Sequence, residues 1–350
     1  MLWVLVLVAT ATLVIYLLLS RDILAQYDSP KGQYFSSNSE SSQLDLIKTS
    51  ISRDVGEIRR LPFRLLLDHL RKSLDSFFDD IEIKSTIEAV QDQNLNAEWV
   101  LAPSVDCSRR LLYIHGGAFC VGSPRSHRVI TSRLSQVANC AVLAVDYRLL
   151  PENERKDGIE DCRDAYDWLL QHSPEGADKH ASAVFIAGDS AGGNLTLSLL
   201  SWIRDSKRTV PNAAVALSPV TDMRMVNPSI KGNSHHDVML GPPYRRLNKV
   251  PRMLWSIGVY WSTGYGAKHP DISPLHGDLA NLPPILVHAS EHEILRDDAR
   301  RYVNKAIQAG TDARLQLWMH MPHVWHIFHP RLPEAKQAFD QIGGFLNEHS

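Results

Sequence analysis

Gly188-Asp189-Ser190-Ala191-Gly192-Gly193 sets a serine inside a G-x-S-x-G pattern, directly after the apolar run Ala183–Ala187. On a strand-to-helix turn, small flanking residues let neighbouring chain pass close while the serine hydroxyl stands exposed. Such a serine is a candidate nucleophile, but a hydroxyl of ordinary pKa needs a base beside it. His320, His323, His326 and His329 follow the late run Arg314–Trp318, where a base is expected. Their spacing of three is also compatible with a metal cluster. An imidazole base needs an acid to orient it, and Glu291, Glu293, Asp297 and Asp298 compete for that role after Ile285–Val287. The order serine, acid, histidine expected where the serine stands on a strand-to-helix turn of this kind is obeyed by Ser190, Glu293 and His323.

A tetrahedral intermediate needs backbone N–H donors aimed at its oxyanion. His115-Gly116-Gly117-Ala118-Phe119 follows the apolar run Leu111–Ile114 and offers adjacent glycines for that purpose. Gly116 and Gly117, with the N–H of Ala191, are the expected donors.

These residues need a frame. Leu111–Ile114, Ala141–Val145, Ala183–Ala187, Ala213–Leu217 and Pro284–Val287 are short apolar runs, mostly separated by helix-compatible stretches. Continuous apolar strands alternating with helices describe a buried, mostly parallel sheet with helices on both faces. The expected fold class is α/β, and ligand sites in such sheets lie at the carboxyl ends of the strands. The candidate residues all sit there.

The ordered motifs resemble the hormone-sensitive lipase family of α/β-hydrolases, which includes arylacetamide deacetylases and many microbial carboxylesterases. The resemblance spans about residues 97–345. It rests on His115–Phe119, Asp146-Tyr147-Arg148-Leu149-Leu150-Pro151-Glu152, Gly188–Gly193, Ile272-Ser273-Pro274-Leu275, Leu282-Pro283-Pro284, Glu293-Ile294-Leu295-Arg296-Asp297 and Met321-Pro322-His323-Val324-Trp325. It implies an α/β-hydrolase fold, Ser190 as nucleophile, Glu293 where the family usually has aspartate, and His323 as base. Asp297 and Asp298 are the alternative acids, and His326 is the alternative base. The family's third oxyanion glycine is Ala118 here, which keeps its N–H. The resemblance also implies a helical cap from residues 43–95 and about 222–265. Met223, Met225, Met239, Met253, Trp255, Tyr260 and Trp261 in the second segment are expected to pack on one another or to form an apolar lid.

The N-terminus is of another kind. Leu2 to Ser20 carries no charged residue. As a helix it would span roughly 28 Å, near the hydrocarbon thickness of a bilayer. No basic residue precedes it, and it is longer than a usual signal-peptide core. Residues 1–20 are therefore expected to be a single membrane anchor, with secretion after signal cleavage as the alternative. Arg21 and Lys31 lie after the span and lean toward a cytoplasmic catalytic domain. Residues 21–42, with Ser29-Pro30, Gly32 and a Ser/Asn cluster, read as a linker to one hydrolase domain over 43–350. Along 43–80 the leucines and phenylalanines Leu61, Phe63, Leu65, Leu66, Leu67, Leu70, Leu74 and Phe77 recur on one helical side, as for packing on the domain or roofing a pocket.

In the 350-residue chain, 37 basic against 39 acidic side chains give a net charge of −2. No basic excess points to a nucleic-acid partner. Cys107, Cys120, Cys140 and Cys162 have no zinc-site spacing, and neither metal nor organic cofactor is expected. The partner expected is a small-molecule ester, with the oligomeric state open. The reading is a membrane-anchored serine carboxylesterase working through an acyl-enzyme on esters of lipophilic alcohols or short-to-medium acyl chains. An amide or lipid deacetylase of the arylacetamide deacetylase type, or a non-catalytic receptor on the same fold, are the alternatives.

Overall fold

The computed structural model describes residues 22–29, 31–36, 42–58, 62–90, 92, 95–177, 180–247 and 249–350. The span Leu2–Ser20 lies outside them. Among the described residues no helix is long and apolar enough to cross a membrane.

Nine strands form the main sheet: β1 (Gln33–Phe35), β2 (Thr86–Ala89), β3 (Ala97–Leu101), β4 (Arg109–Ile114), β5 (Ala141–Val145), β6 (Ala183–Asp189), β7 (Ala213–Leu217), β8 (Ile285–Ser290) and β9 (Ala313–Trp318). Their order is β1-β9-β8-β7-β6-β4-β5-β3-β2. Pairing is parallel from β1 across to β5 and antiparallel at β3 and β2. The five apolar runs supply the central strands β4 to β8. β5 and β7 are buried along their whole length, as strands covered on both faces must be. The helices α1 (Ser42–Ile58), α2 (Phe63–Ser76), α3 (Arg128–Ala138), α4 (Arg155–Gln171), α5 (Ala191–Asp205), α6 (Pro228–Gly232), α7 (Gly241–Leu247), α8 (Arg252–Thr263), α9 (Arg296–Gln308) and α10 (Pro333–Glu348) complete the domain.

Strand order reverses at β4: β5 lies on one side of it and β6 on the other. The carboxyl ends of β4 and β6 therefore flank the crevice in which an α/β sheet binds its ligand. His115–Phe119 leaves the first of these strands and Ser190 leaves the second.

Two expectations need correction. Within the span 21–42 expected to be a linker, residues 22–29 and 31–36 are part of the domain. Gln33–Phe35 add a parallel strand beside β9, with Phe35 stacked on Trp318 at 4.6 Å between ring centres. Upstream, Asp22 and Asp28 grip the fully buried Arg301 at 2.7 and 2.6 Å. A guanidinium without water needs its charge matched, and this stretch of chain supplies the match. The first cap segment is also shorter than 43–95, because Thr86–Ala89 belongs to the sheet.

α1 packs on the domain: Leu44 and Ile51 join Trp318, Met321, Trp325 and Phe328 in one apolar cluster. α2 behaves differently. None of its described residues is fully buried, and Leu65 stands exposed. Polar contacts hold it instead. Arg71 donates to the carbonyls of Cys120 and Leu150 and to Glu152, while Ser123 donates to Asp75. α2 is thus fastened over the chain that leaves the Gly-Gly loop.

Candidate active site

Ser190 sits between β6 and α5 with φ 51° and ψ −112°. That strained angle is held because the surroundings leave no alternative. A Cβ on Gly192 would fall 1.9 Å from the carbonyl oxygen of Ile114, so the turn closes only with glycine there. Ser190 N–H donates to Leu217 O at 2.7 Å, fixing the elbow to β7.

The three expected residues converge. His323 Nε2 lies 2.9 Å from Ser190 Oγ, and His323 Nδ1 lies 2.6 Å from Glu293 Oε2. The other carboxylate oxygen, Glu293 Oε1, accepts Ser290 N–H at 2.7 Å and Ser218 Oγ–H at 3.0 Å. Glu293 and His323 are both buried. Burial pulls the His323 imidazole down, and the hydrogen bond and charge of Glu293 more than reverse it. The result lies above the ordinary 6.5. With Nδ1–H donating to Glu293, Nε2 is the free lone pair facing the serine.

The acid and base loops are tied together. Ser218, just past β7, donates to Glu293 and accepts the N–H of Val324. Ser290, ending β8, holds Glu293 through its N–H and Met321 O through its hydroxyl. From the cap insertion, Asn233 donates to the carbonyls of Glu291 and Glu293, and Asp237 accepts Ile294 N–H. The base of the insertion therefore positions the acid.

The Gly-Gly loop differs in one respect from expectation. Gly116 N–H is engaged, donating to Asp189 Oδ1 at 2.9 Å. It cannot face a substrate oxygen at the same time. The N–H groups of Gly117, Ala118 and Ala191 make no such bond among the described residues. Ala191 is the first residue of α5, where helix geometry leaves N–H groups without partners and favours negative charge. Gly117 with φ 118° and Ala118 with φ 52° turn the loop back sharply.

Asp189 is the pivot of this loop, a role that its place beside Ser190 in the sequence does not announce. Its Oδ1 also accepts Tyr113 O–H at 2.6 Å, and His127 Nε2 lies 3.5 Å from Oδ2. Burial pushes the Asp189 carboxyl up, but His127 and Tyr113 together hold it below its usual value. A charged carboxylate thus joins β4, the loop and the serine turn in one cluster.

The remaining candidates lie elsewhere. Asp298 accepts the N–H groups of Thr221 and Asp222 and the amide of Asn227; burial and the neighbouring Asp222 raise it to about 7. Asp297 accepts Ser229 N–H and pairs with Arg296 and Arg300. His326 Nε2 meets His288 Nδ1 at 3.0 Å, while His320 packs against His292 and His329 against Phe339. The four histidines do not converge. Among the described residues no group of three or more His, Cys, Asp or Glu could hold a metal.

This geometry agrees with what the chain is similar to. A family model described as alpha/beta hydrolase fold matches residues 111–327. An acetyl-hydrolase of Streptomyces hygroscopicus is 39% identical over 252 residues, covering 71% of this chain and 79% of that protein. The carboxylesterase/phospholipase LipF of Mycobacterium tuberculosis is 34% identical over 263 residues, covering 73% and 67%. The crystal structure of an esterase from the bacterial hormone-sensitive lipase family superposes with a TM-score of 0.76 at 35% identity, over 89% of this chain and 99% of that one. The chain belongs to the hormone-sensitive-lipase-like carboxylesterases of the α/β-hydrolase fold.

The protein is thus a carboxylic ester hydrolase. Within this esterase, half-buried Ser190 and the buried His323 and Glu293 form one chain continuous by hydrogen bonds. The motifs located the three chemical groups. Ser218, which ties the acid loop to the base loop, and His127, which pairs with Asp189, come from distant parts of the chain and have no local signature.

Proposed function

We propose that the esterase works through Ser190 as nucleophile, His323 as general base and Glu293 as its orienting acid. The observation that carries this is the unbroken path from Ser190 Oγ through His323 to Glu293, at 2.9 and 2.6 Å. Ser190 Oγ attacks the ester carbonyl carbon while its proton passes to His323 Nε2. The carbonyl π electrons become the oxyanion, which the N–H groups of Gly117, Ala118 and Ala191 receive. The tetrahedral intermediate collapses with loss of the alcohol, which takes the proton from Nε2. Water, deprotonated by the same nitrogen, then attacks the acyl-enzyme, and the acid is released as Ser190 Oγ takes the proton back from Nε2.

The substrate class follows from the surroundings and the relatives. Met223, Met225, Tyr244 and Trp255 in the cap pack partly buried against the core that holds Phe119 and Ala191. An apolar lid suits an uncharged ester of a lipophilic alcohol. Two relatives are named acetyl-hydrolase and ethyl acetate hydrolase, which favours a short acyl group. A series of p-nitrophenyl esters of rising acyl length, run beside an arylacetamide, tests this. The expectation is highest kcat/KM for a short-to-medium ester. A preference for the amide would replace the reading with a deacetylase.

The same reading holds the enzyme at a membrane through Leu2–Ser20. The support is that span's charge-free composition and its length, near that of a bilayer's hydrocarbon core. Expressed full-length, the protein is expected to stay with membranes after alkaline carbonate extraction. Release into the supernatant, or loss of residues 1–20 in the mature protein, would instead favour a cleaved signal.

A further inference from the structure

The cap insertion between β7 and β8 distributes its charge unevenly. From Val238 to Pro270 there is no Asp or Glu, whereas Arg245, Arg246, Lys249, Arg252 and Lys268 all lie there. Of the insertion's four carboxylates, Asp222 and Asp237 sit upstream of this stretch and are engaged internally, while Asp271 and Asp278 follow it, Asp271 pairing with Arg163. Asp222 is clasped by Arg224, and Asp237 accepts the N–H groups of Met239, Leu240 and Ile294. Arg246, Lys249 and Arg252 are exposed and pair with no described carboxylate.

α8 beside them turns its apolar side outward. It faces the protein with the line Trp255, Val259 and Thr263. Met253, Leu254, Ile257, Tyr260 and Trp261 point to solvent, with Met253 at 72% and Trp261 at 83% exposure. Their spacing of three and four places them on one helical face. Leu247 and Val250 extend the patch to the basic corner. Scattered apolar residues need no partner, but a continuous patch with a polar rim marks a surface that binds something.

The charge decides what. A Trp- and Leu-bearing face flanked by Lys and Arg is the composition of a helix that lies in a bilayer interface. Tryptophan and tyrosine settle at headgroup depth, and basic side chains meet anionic headgroups. A cavity of about 820 Å³ opens at the same corner. Met225, Tyr244 and Trp255 give it apolar walls, Lys231 and Arg252 give it positive charge, and no carboxylate lines it.

We propose that the α7–α8 corner of the cap docks on an anionic lipid bilayer. The apolar face of α8 enters the interface, and Arg246, Lys249 and Arg252 contact the headgroups. This is a contact separate from Leu2–Ser20 and stands whether or not that span is an anchor. It sets the cap against the phase in which lipophilic esters dissolve.

The test uses the full chain reconstituted in brominated phosphatidylcholine vesicles, with and without phosphatidylglycerol. The signal is the Trp261 component of fluorescence, obtained as wild type minus Trp261→Phe, which removes any contribution from Trp3. Quenching of that component is expected in the presence of phosphatidylglycerol, and its loss in the triple variant Arg246→Glu, Lys249→Glu, Arg252→Glu. That variant should still hydrolyse a soluble p-nitrophenyl ester at the wild-type rate, showing that it is folded. A Trp261 component unquenched in both vesicles would overturn the proposal. So would quenching that neither phosphatidylglycerol nor the triple variant alters. A lipid-free dimer that shields Trp261 from acrylamide would assign the face to a second copy and overturn it too.

Discussion

Replacing Ser190 by alanine is expected to lower kcat for a p-nitrophenyl ester by about 10⁴- to 10⁶-fold, with the residue's neighbours left in place. The magnitude follows from the geometry. Ser190 Oγ is the atom that His323 Nε2 reaches at 2.9 Å, and the elbow offers no second hydroxyl on that nitrogen. The residual rate would reflect binding and the N–H donors of Gly117, Ala118 and Ala191. Folding should be unaffected, since alanine removes one partly exposed hydroxyl and keeps the N–H that donates to Leu217. Unchanged circular dichroism and thermal unfolding check this. Hydrolysis surviving near the wild-type rate in a folded Ser190→Ala protein would remove the serine from the mechanism.

The second large effect concerns Glu293. Exchange to glutamine keeps the shape but removes the negative charge that receives His323 Nδ1–H at 2.6 Å. A fall in kcat of about 10³- to 10⁴-fold is expected, as for loss of the acid in triads generally. The pH profile carries the sharper signature. In the wild type His323 titrates above 6.5, because the bond and charge of Glu293 outweigh its burial. The base works only when neutral, so activity should fall with acid along a limb centred above 6.5. Without the carboxylate, burial acts alone and disfavours the charged imidazolium. The acid limb of Glu293→Gln should therefore move downward in pH while the plateau drops. Asp297 and Asp298 are held by Ser229, Arg296, Thr221 and Asn227, so neither is placed to substitute. An acid limb that stays above 6.5 in Glu293→Gln would show that another group sets the imidazole's charge.

How much of this could be read beforehand depends on where the constraint lay. Central strands β4 to β8 are buried on both faces, so they appear as apolar runs. Ser190 and His323 sit at strand ends with small or recurring neighbours and are legible for that reason. β1 was not. Gln33–Phe35 is three residues beside β9, held by a neighbouring strand and by Trp318 rather than by any pattern of its own. β2 and β3 at the opposite edge are only partly buried or pair antiparallel, so they lack the central signature. Gly116 looks like a donor in the sequence but its N–H is taken by Asp189, seventy-three positions away in the chain. Local reading offers donors but not the acceptors that reach them first. The apolar stripes of α2 and α8 point equally to packing surfaces and to the roof of a pocket. The structure leaves Leu65 and much of α8 uncovered, because periodicity reports a face and not what covers it.

The central claim is that acyl transfer passes through Ser190 on a network poised by His323 and Glu293. The most direct test is covalent. The folded enzyme is treated with a p-nitrophenyl phosphonate ester and digested, and the modified peptide is sequenced by mass spectrometry. The account predicts one adduct per chain, on Ser190, formed with a burst of p-nitrophenolate and much slowed in Glu293→Gln. An active enzyme that gains no adduct, or gains it on any residue other than Ser190, would contradict it.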